Sequence, residues 1–136
     1  MHTLYIIRGL PGSGKSTFAR TKFPSLLHVE NDMVHIDDKG NYKFDPKRTT
    51  ESMEFCMDTV SLAMKYNVSV VVSNVFVSKR AINAYKAIAE AHNYNFKVYR
   101  LTSDFGNIHN VPISVLQSMK EKFEDYPGEI ILDPSK

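Results

Sequence analysis

Short apolar runs alternate along this chain with segments of helical period. Leu4-Tyr5-Ile6-Ile7 is apolar and β-prone, the composition of a buried parallel strand. Leu26-Leu27-His28-Val29 is a second candidate strand, ending at Glu30-Asn31-Asp32. Val68 to Val75 is the third and carries the clearest β signal; Phe96 to Leu101 is the fourth. Glu129-Ile130-Ile131-Leu132 has the composition of a short edge strand. Helical patterns fall between them. Ser16 to Lys22 continues as a short helix before Pro24. Asp45-Pro46 starts a helix, with Asp as N-cap and Pro at N1. Met53, Cys56, Met57, Val60 and Met64 then recur on one apolar face, which makes Cys56 a core residue. Ser78 caps the next helix, whose inner side is Ile82, Tyr85 and Ile88-Ala89 and whose end is near His92-Asn93. A last helix begins near Pro112, with Leu116, Met119 and Phe123 facing inward.

Strand–helix alternation predicts an α/β fold of three layers, a parallel sheet of four to five strands with helices on both faces. The length of 136 residues suits one domain spanning 1–136. Ordinary proportions of hydrophobic (43%) and charged (24%) residues fit a globular chain. The net charge of +2 is too small for nucleic-acid binding by bulk electrostatics, though a nucleic-acid end could still bind locally. One cysteine forms no intrachain disulfide, as expected in a reducing cytoplasm. No apolar run reaches membrane-spanning length, and no signal peptide is visible, so no membrane partner is expected.

Candidate chemistry starts at the end of the first strand. Gly9-Leu10-Pro11-Gly12-Ser13-Gly14-Lys15-Ser16-Thr17 fits G-x-x-x-x-G-K-[ST] at every fixed position. Such a loop turns backbone N–H groups onto the β- and γ-phosphates of a nucleotide. Gly9, Gly12 and Gly14 allow positive φ and close backbone approach. Lys15 adds a charge on the phosphates, and the Ser16 hydroxyl is placed to ligate Mg2+. A strand before the motif and a helix after it supply the context the pattern requires.

In parallel sheets, ligands sit at the carboxyl ends of the strands. The second strand ends at Asp32, the natural general base for an acceptor hydroxyl; a helix cap or a carboxylate behind Mg2+ is its other reading. The third strand ends at Ser73-Asn74. Ser73 stands where a typical P-loop ATPase has an acidic residue, which disfavours a motor. Asn74 either contacts the acceptor or orients Asp32, or it satisfies local backbone.

The chain resembles the small phage P-loop kinases related to the kinase half of bacteriophage 5′-polynucleotide kinase. The resemblance runs from about Leu4 to Glu124. It rests on Arg8 to Thr17, Glu30-Asn31-Asp32-Met33, Tyr42-Lys43-Phe44-Asp45, Val72-Ser73-Asn74 and Asn107-Ile108-His109-Asn110-Val111-Pro112. It implies transfer of the γ-phosphate of ATP to a hydroxyl, with Lys15 on phosphate, Ser16 on Mg2+ and Asp32 as base. The acceptor implied is a polynucleotide 5′-hydroxyl, a nucleoside or a nucleotide. Asn107 and His109 would lie near the nucleotide base, although no residue distinguishes ATP from GTP. The expected location is the cytoplasm, that of the host if the chain is phage-encoded. Two departures stand out. His35 occupies the position of an acceptor-binding Arg, and Thr102 to Asn110 contains no Lys or Arg where the family has an arginine-bearing lid. Arg80, Lys79 or His109 are the candidates to replace that charge. A regulatory nucleotide-binding module, or a slow ATPase, is the alternative reading.

Overall fold

The structure is a computed structural model that describes residues 2–30, 49–105 and 113–134. Among these residues the elements run β1 (Thr3–Arg8), α1 (Lys15–Lys22), β2 (Leu27–Val29), α2 (Thr49–Lys65), β3 (Val70–Asn74), α3 (Lys79–Ala91), β4 (Asn95–Leu101), α4 (Ile113–Lys122) and β5 (Ile130–Leu132). The strands form one sheet in the order β2-β3-β1-β4-β5, parallel throughout. The expected α/β architecture and all five strands are present. The proposed helix start at Asp45-Pro46 lies outside the described residues.

Period-2 alternation along β1 divides the core. Leu4 and Ile6 join Val70, Val72 and Val98 under α2 and α3, where they meet Cys56, Val60, Met64, Ile82, Tyr85 and Ala89. Ile7 turns to the opposite face with Val71 and Leu101, against Ala19 of α1. Half-buried Tyr5, Phe18, Phe23 and Tyr99 complete that layer. Cys56 is fully buried, as expected of a core residue.

Met53 corrects the sequence reading: it is 49% exposed rather than part of the inner face. A helix of 17 residues is about 25 Å long, whereas the five residues of β3 span only about 17 Å. Among the described side chains of α2, burial begins at Cys56. In α4 the expected inward residues Leu116 and Met119 are only half-buried, and no residue of the helix is buried.

Helix ends explain where the strands begin. At the end of α2, Asn67 adopts φ 59°. The Val68 N–H donates to the Ala63 carbonyl (3.0 Å) and the Asn67 N–H to that of Met64 (3.1 Å). This is a Schellman ending with Asn in place of Gly. It consumes Val68, so β3 starts two residues later than its apolar run. Asn93 (φ 59°) and Tyr94 close α3 in the same manner. At the other end of α3, the Ser78 side chain accepts from the Ala81 N–H, as the sequence suggested.

A buried arginine organises the carboxyl end of the sheet. Arg8, the last residue of the central strand, has no exposed surface. Its Nε and Nη2 donate to the Phe76 carbonyl (3.1 and 2.8 Å). Nη2 also donates to the Glu124 carbonyl (2.7 Å), and Nη1 to Glu129 Oε1 (2.7 Å). The ring of Phe123 lies 4.1 Å from its Cζ and 4.7 Å from that of Arg100. Arg100 in turn donates to Asp125 and Glu129. Burial pulls the Arg8 pKa down, and the hydrogen bond and charge of Glu129 oppose the shift. The guanidinium remains charged, since arginine does not deprotonate in proteins. The Phe76 carbonyl faces Arg8 from a residue held at φ 50°, an unfavourable conformation for an aromatic side chain. Four donated bonds thus tie residues 76 and 123–129 to β1. Arg8→Met is expected to lower stability by about 3 kcal/mol, because it takes the nearer guanidinium from a buried Glu129, which keeps Arg100, and leaves the Phe76 and Glu124 carbonyls without these donors. Thermal denaturation should fall by about 10 °C or more; an unchanged transition would mean that the clamp contributes nothing.

Candidate functional site

Gly9 follows Arg8 directly, so the clamp fixes the start of the phosphate loop. The three loop glycines have separate physical reasons. Gly12 and Gly14 have φ of 85° and 86°, which L side chains rarely adopt. At Gly9 the reason is contact: a Cβ there would lie 2.4 Å from Ser13 Oγ and 2.9 Å from the Leu101 carbonyl. At Gly14 a Cβ would also meet the Phe105 ring at 2.9 Å.

Neighbouring strand ends hold the loop from both sides. The Gly9 N–H points to the Val75 carbonyl (3.4 Å), and the Phe105 N–H donates to the Gly12 carbonyl (2.7 Å). Ser103 Oγ donates to the Ser13 carbonyl (2.7 Å). The Gly12 and Ser13 carbonyls are thus occupied by protein donors. Ser13 Oγ is buried and has no partner among the described residues. Half-buried Pro11 completes the loop.

The N-cap of α1 is Gly14, which offers no side chain to the first-turn N–H groups. Those groups have no intrahelical acceptor, the arrangement that suits an anion. There is no acidic residue in that first turn, and Arg20 and Lys22 lie in the last. Both features leave the positive end of the dipole facing the loop. Lys15 Nζ donates to the Leu10 carbonyl (3.1 Å) and so lies across the loop. Thr17 is exposed on the same helix.

Ser16 reaches the end of β2. Its hydroxyl donates to Glu30 Oε2 at 2.5 Å. Ser73, at the end of β3, donates to the same oxygen at 3.0 Å. His28 Nε2 lies 2.5 Å from Ser73 Oγ and 3.7 Å from Glu30 Oε2. Proton accounting fixes the direction of this chain. An ionised carboxylate only accepts, so both hydroxyls spend their protons on Glu30, and His28 must donate from Nε2 to Ser73. Burial pushes the His28 pKa down, the charge of Glu30 opposes this, and Arg20 lowers it further. The ring is thereby a neutral Nε2–H tautomer near neutral pH.

The remaining predicted residues divide. Asn74 is half-buried at the end of β3, in register with Arg8. Arg80 is exposed on the first turn of α3, with no hydrogen bond or ion pair among the described residues. The Lys79 N–H of that turn is taken by Glu124 Oε1 (2.9 Å). Asp32, His35, Asn107 and His109 lie outside the described residues. Sequence reading missed Glu30 and His28, although Glu30 closes the second apolar run and so met the strand-end rule. No sequence signal marked Ser103.

The profile of a family described as an AAA domain matches residues 4–109. The chain belongs to this family. The uncharacterized protein PM0531 of Pasteurella multocida (strain Pm70) is 34% identical over 152 residues, covering 98% of this chain and 84% of that protein. A sugar kinase from Janibacter sp. HTCC2649 shares the fold with a TM-score of 0.69 at 17% identity, over 100% of this chain and 87% of its own. A chain of the Pnkp1/Rnl/Hen1 RNA repair complex superposes with a TM-score of 0.61 at 19% identity, over 93% of this chain and 40% of its own. The fold is that of P-loop kinases. Among the described residues, no helix is long and apolar enough to cross a membrane.

The residues present fit a nucleoside triphosphate and Mg2+. The glycine cradle admits phosphate, and the Ser16 oxygen keeps its lone pairs while its proton is held by Glu30. Lys15→Ala is expected to weaken ATP binding about tenfold or more, the loss of a charge-assisted contact. Isothermal calorimetry reads this directly. Equal affinity in the variant would exclude the loop as the phosphate site.

Proposed function

We propose that this protein transfers the γ-phosphate of ATP to a hydroxyl of a polynucleotide 5′ end, a nucleoside or a nucleotide. The observation that carries the reading is the pairing of a glycine-rich loop at a helix N-terminus with a Ser16 hydroxyl whose proton is held by Glu30, which would leave its lone pairs for a metal. A phosphoryl-transfer site has little covalent chemistry to do; it positions donor and acceptor and neutralises charge. Gly9 to Thr17 bind the phosphates, and Lys15 moves from the Leu10 carbonyl to a phosphate oxygen. Bound Mg2+, held by Ser16, would supply charge neutralisation. Asp32 accepts the acceptor's hydroxyl proton, His35 and Asn74 contact the acceptor, and Asn107 and His109 border the base. Arg80, uncommitted among the described residues, swings in as the transition-state cation.

The fold shared with a sugar kinase supports transfer over plain binding. The polynucleotide end of the acceptor range is supported by the RNA repair complex among the similar folds. A second reading, a nucleotide-binding module with slow or no hydrolysis, draws on one feature: the absence of Lys and Arg from residues 102–110.

The decisive assay offers γ-labelled ATP and Mg2+ with 5′-hydroxyl RNA and DNA, nucleosides and nucleotides. Label is expected on one acceptor class. Asp32→Asn should reduce its appearance about 100-fold or more, the scale of a lost general base. Label released only as free phosphate, or kept on ATP, would favour the module.

A further inference from the structure

Ser73 occupies the strand-end position from which P-loop ATPases direct a carboxylate towards their metal, yet a serine cannot carry that charge. The geometry supplies a carboxylate from the adjacent strand. We propose that Glu30 is the positioning carboxylate of the metal site, with Ser73 and His28 as the relay that holds it. This inference rests on the nucleotide–metal reading above and adds a residue to it.

The argument is one of proton direction. A serine hydroxyl can ligate a metal only through a lone pair, so its proton must point elsewhere. At 2.5 Å, Glu30 Oε2 takes that proton and orients the oxygen. The same Oε2 is fixed by Ser73 at 3.0 Å, and Ser73 is fixed by His28 at 2.5 Å. β2 and β3 are hydrogen-bonded neighbours, with Val29 in register with Val72. Glu30 follows the last residue of β2 and Ser73 follows Val72 in β3, so the paired strands deliver them side by side. Only the identity of the strand carrying the charge differs from the usual plan. A divalent cation held by Ser16 would also feel the negative charge of Glu30 at short range. Outer groups that orient a ligand in this manner affect metal affinity about 10–100-fold when removed.

The test separates metal from nucleotide. Affinity for a non-hydrolysable ATP analogue is measured by calorimetry with Mg2+ and again with EDTA, and the ratio of the two is the gain due to the metal. Wild-type protein should show a gain of about tenfold or more, a normal coupling between two ligands. Glu30→Gln keeps the side chain's shape and removes its charge. It is expected to cut the gain at least about fivefold while leaving the EDTA affinity unchanged. A merely structural role for Glu30 would lower both affinities together. Electron paramagnetic resonance of Mn2+ in place of Mg2+ gives a second reading, with less protein-bound Mn2+ in the variant. If Glu30→Gln does not fold, Ser73→Ala carries the test and should reduce the gain while sparing the EDTA affinity. A gain equal to wild type in a folded variant overturns the role of Glu30 and leaves the proposed function intact. Absence of nucleotide binding in the wild-type protein overturns both.

Discussion

A charged guanidinium without solvent contact is the constraint on which the working end of this protein depends. Removing an arginine from water costs several kcal/mol unless nearly every donor finds an acceptor. Arg8 meets that demand with carbonyls at Phe76 and Glu124, the carboxylate of Glu129 and the face of Phe123. Each acceptor belongs to a different part of the chain. The segment after β3, the stretch after α4 and the residue before β5 are therefore fixed relative to β1. Gly9 starts the phosphate loop on the next residue. Placing the clamp there lets the loop be glycine-rich, and so intrinsically unstable, while its entry point stays rigid.

The same economy of placement runs through the site. The sheet aligns the ends of β1, β2 and β3, so the loop, Glu30 and Ser73 converge without long side chains. Ser16 stands one residue into α1, at the positive end of its dipole, where an anion is favoured. Phe105 and Ser103 hold the loop from the β4 side. A minimal sheet with three-residue outer strands can thus present a complete phosphate cradle.

Much of this was legible in the amino-acid sequence because it is carried by local pattern. Apolar runs located all five strands, and the phosphate loop declared itself through spacing. Ser78 and the stop at His92-Asn93 were visible as cap chemistry. Misplaced details came from tertiary geometry. Val68 reads as β-prone but is consumed by the helix ending at Asn67. Met53 has the right period but stands exposed, outside the buried face. Arg8 and Glu129 are 121 residues apart, and nothing local announces their pairing. Glu30 stands two residues before a recognised acidic residue, Asp32, and its role emerges only with the hydroxyls of Ser16 and Ser73 on its Oε2.

The central claim is that the loop from Gly9 to Thr17 holds a nucleotide's terminal phosphates while Ser16, oriented through Glu30, holds its metal. A crystal structure with Mg2+ and a non-hydrolysable ATP analogue tests it most directly. The account predicts the β- and γ-phosphates within the loop, Lys15 released from the Leu10 carbonyl onto them, and Mg2+ bonded to Ser16 Oγ, with that hydroxyl still donating to Glu30. A nucleotide bound away from the loop, or a metal bonded elsewhere with Ser16 uninvolved, would contradict it.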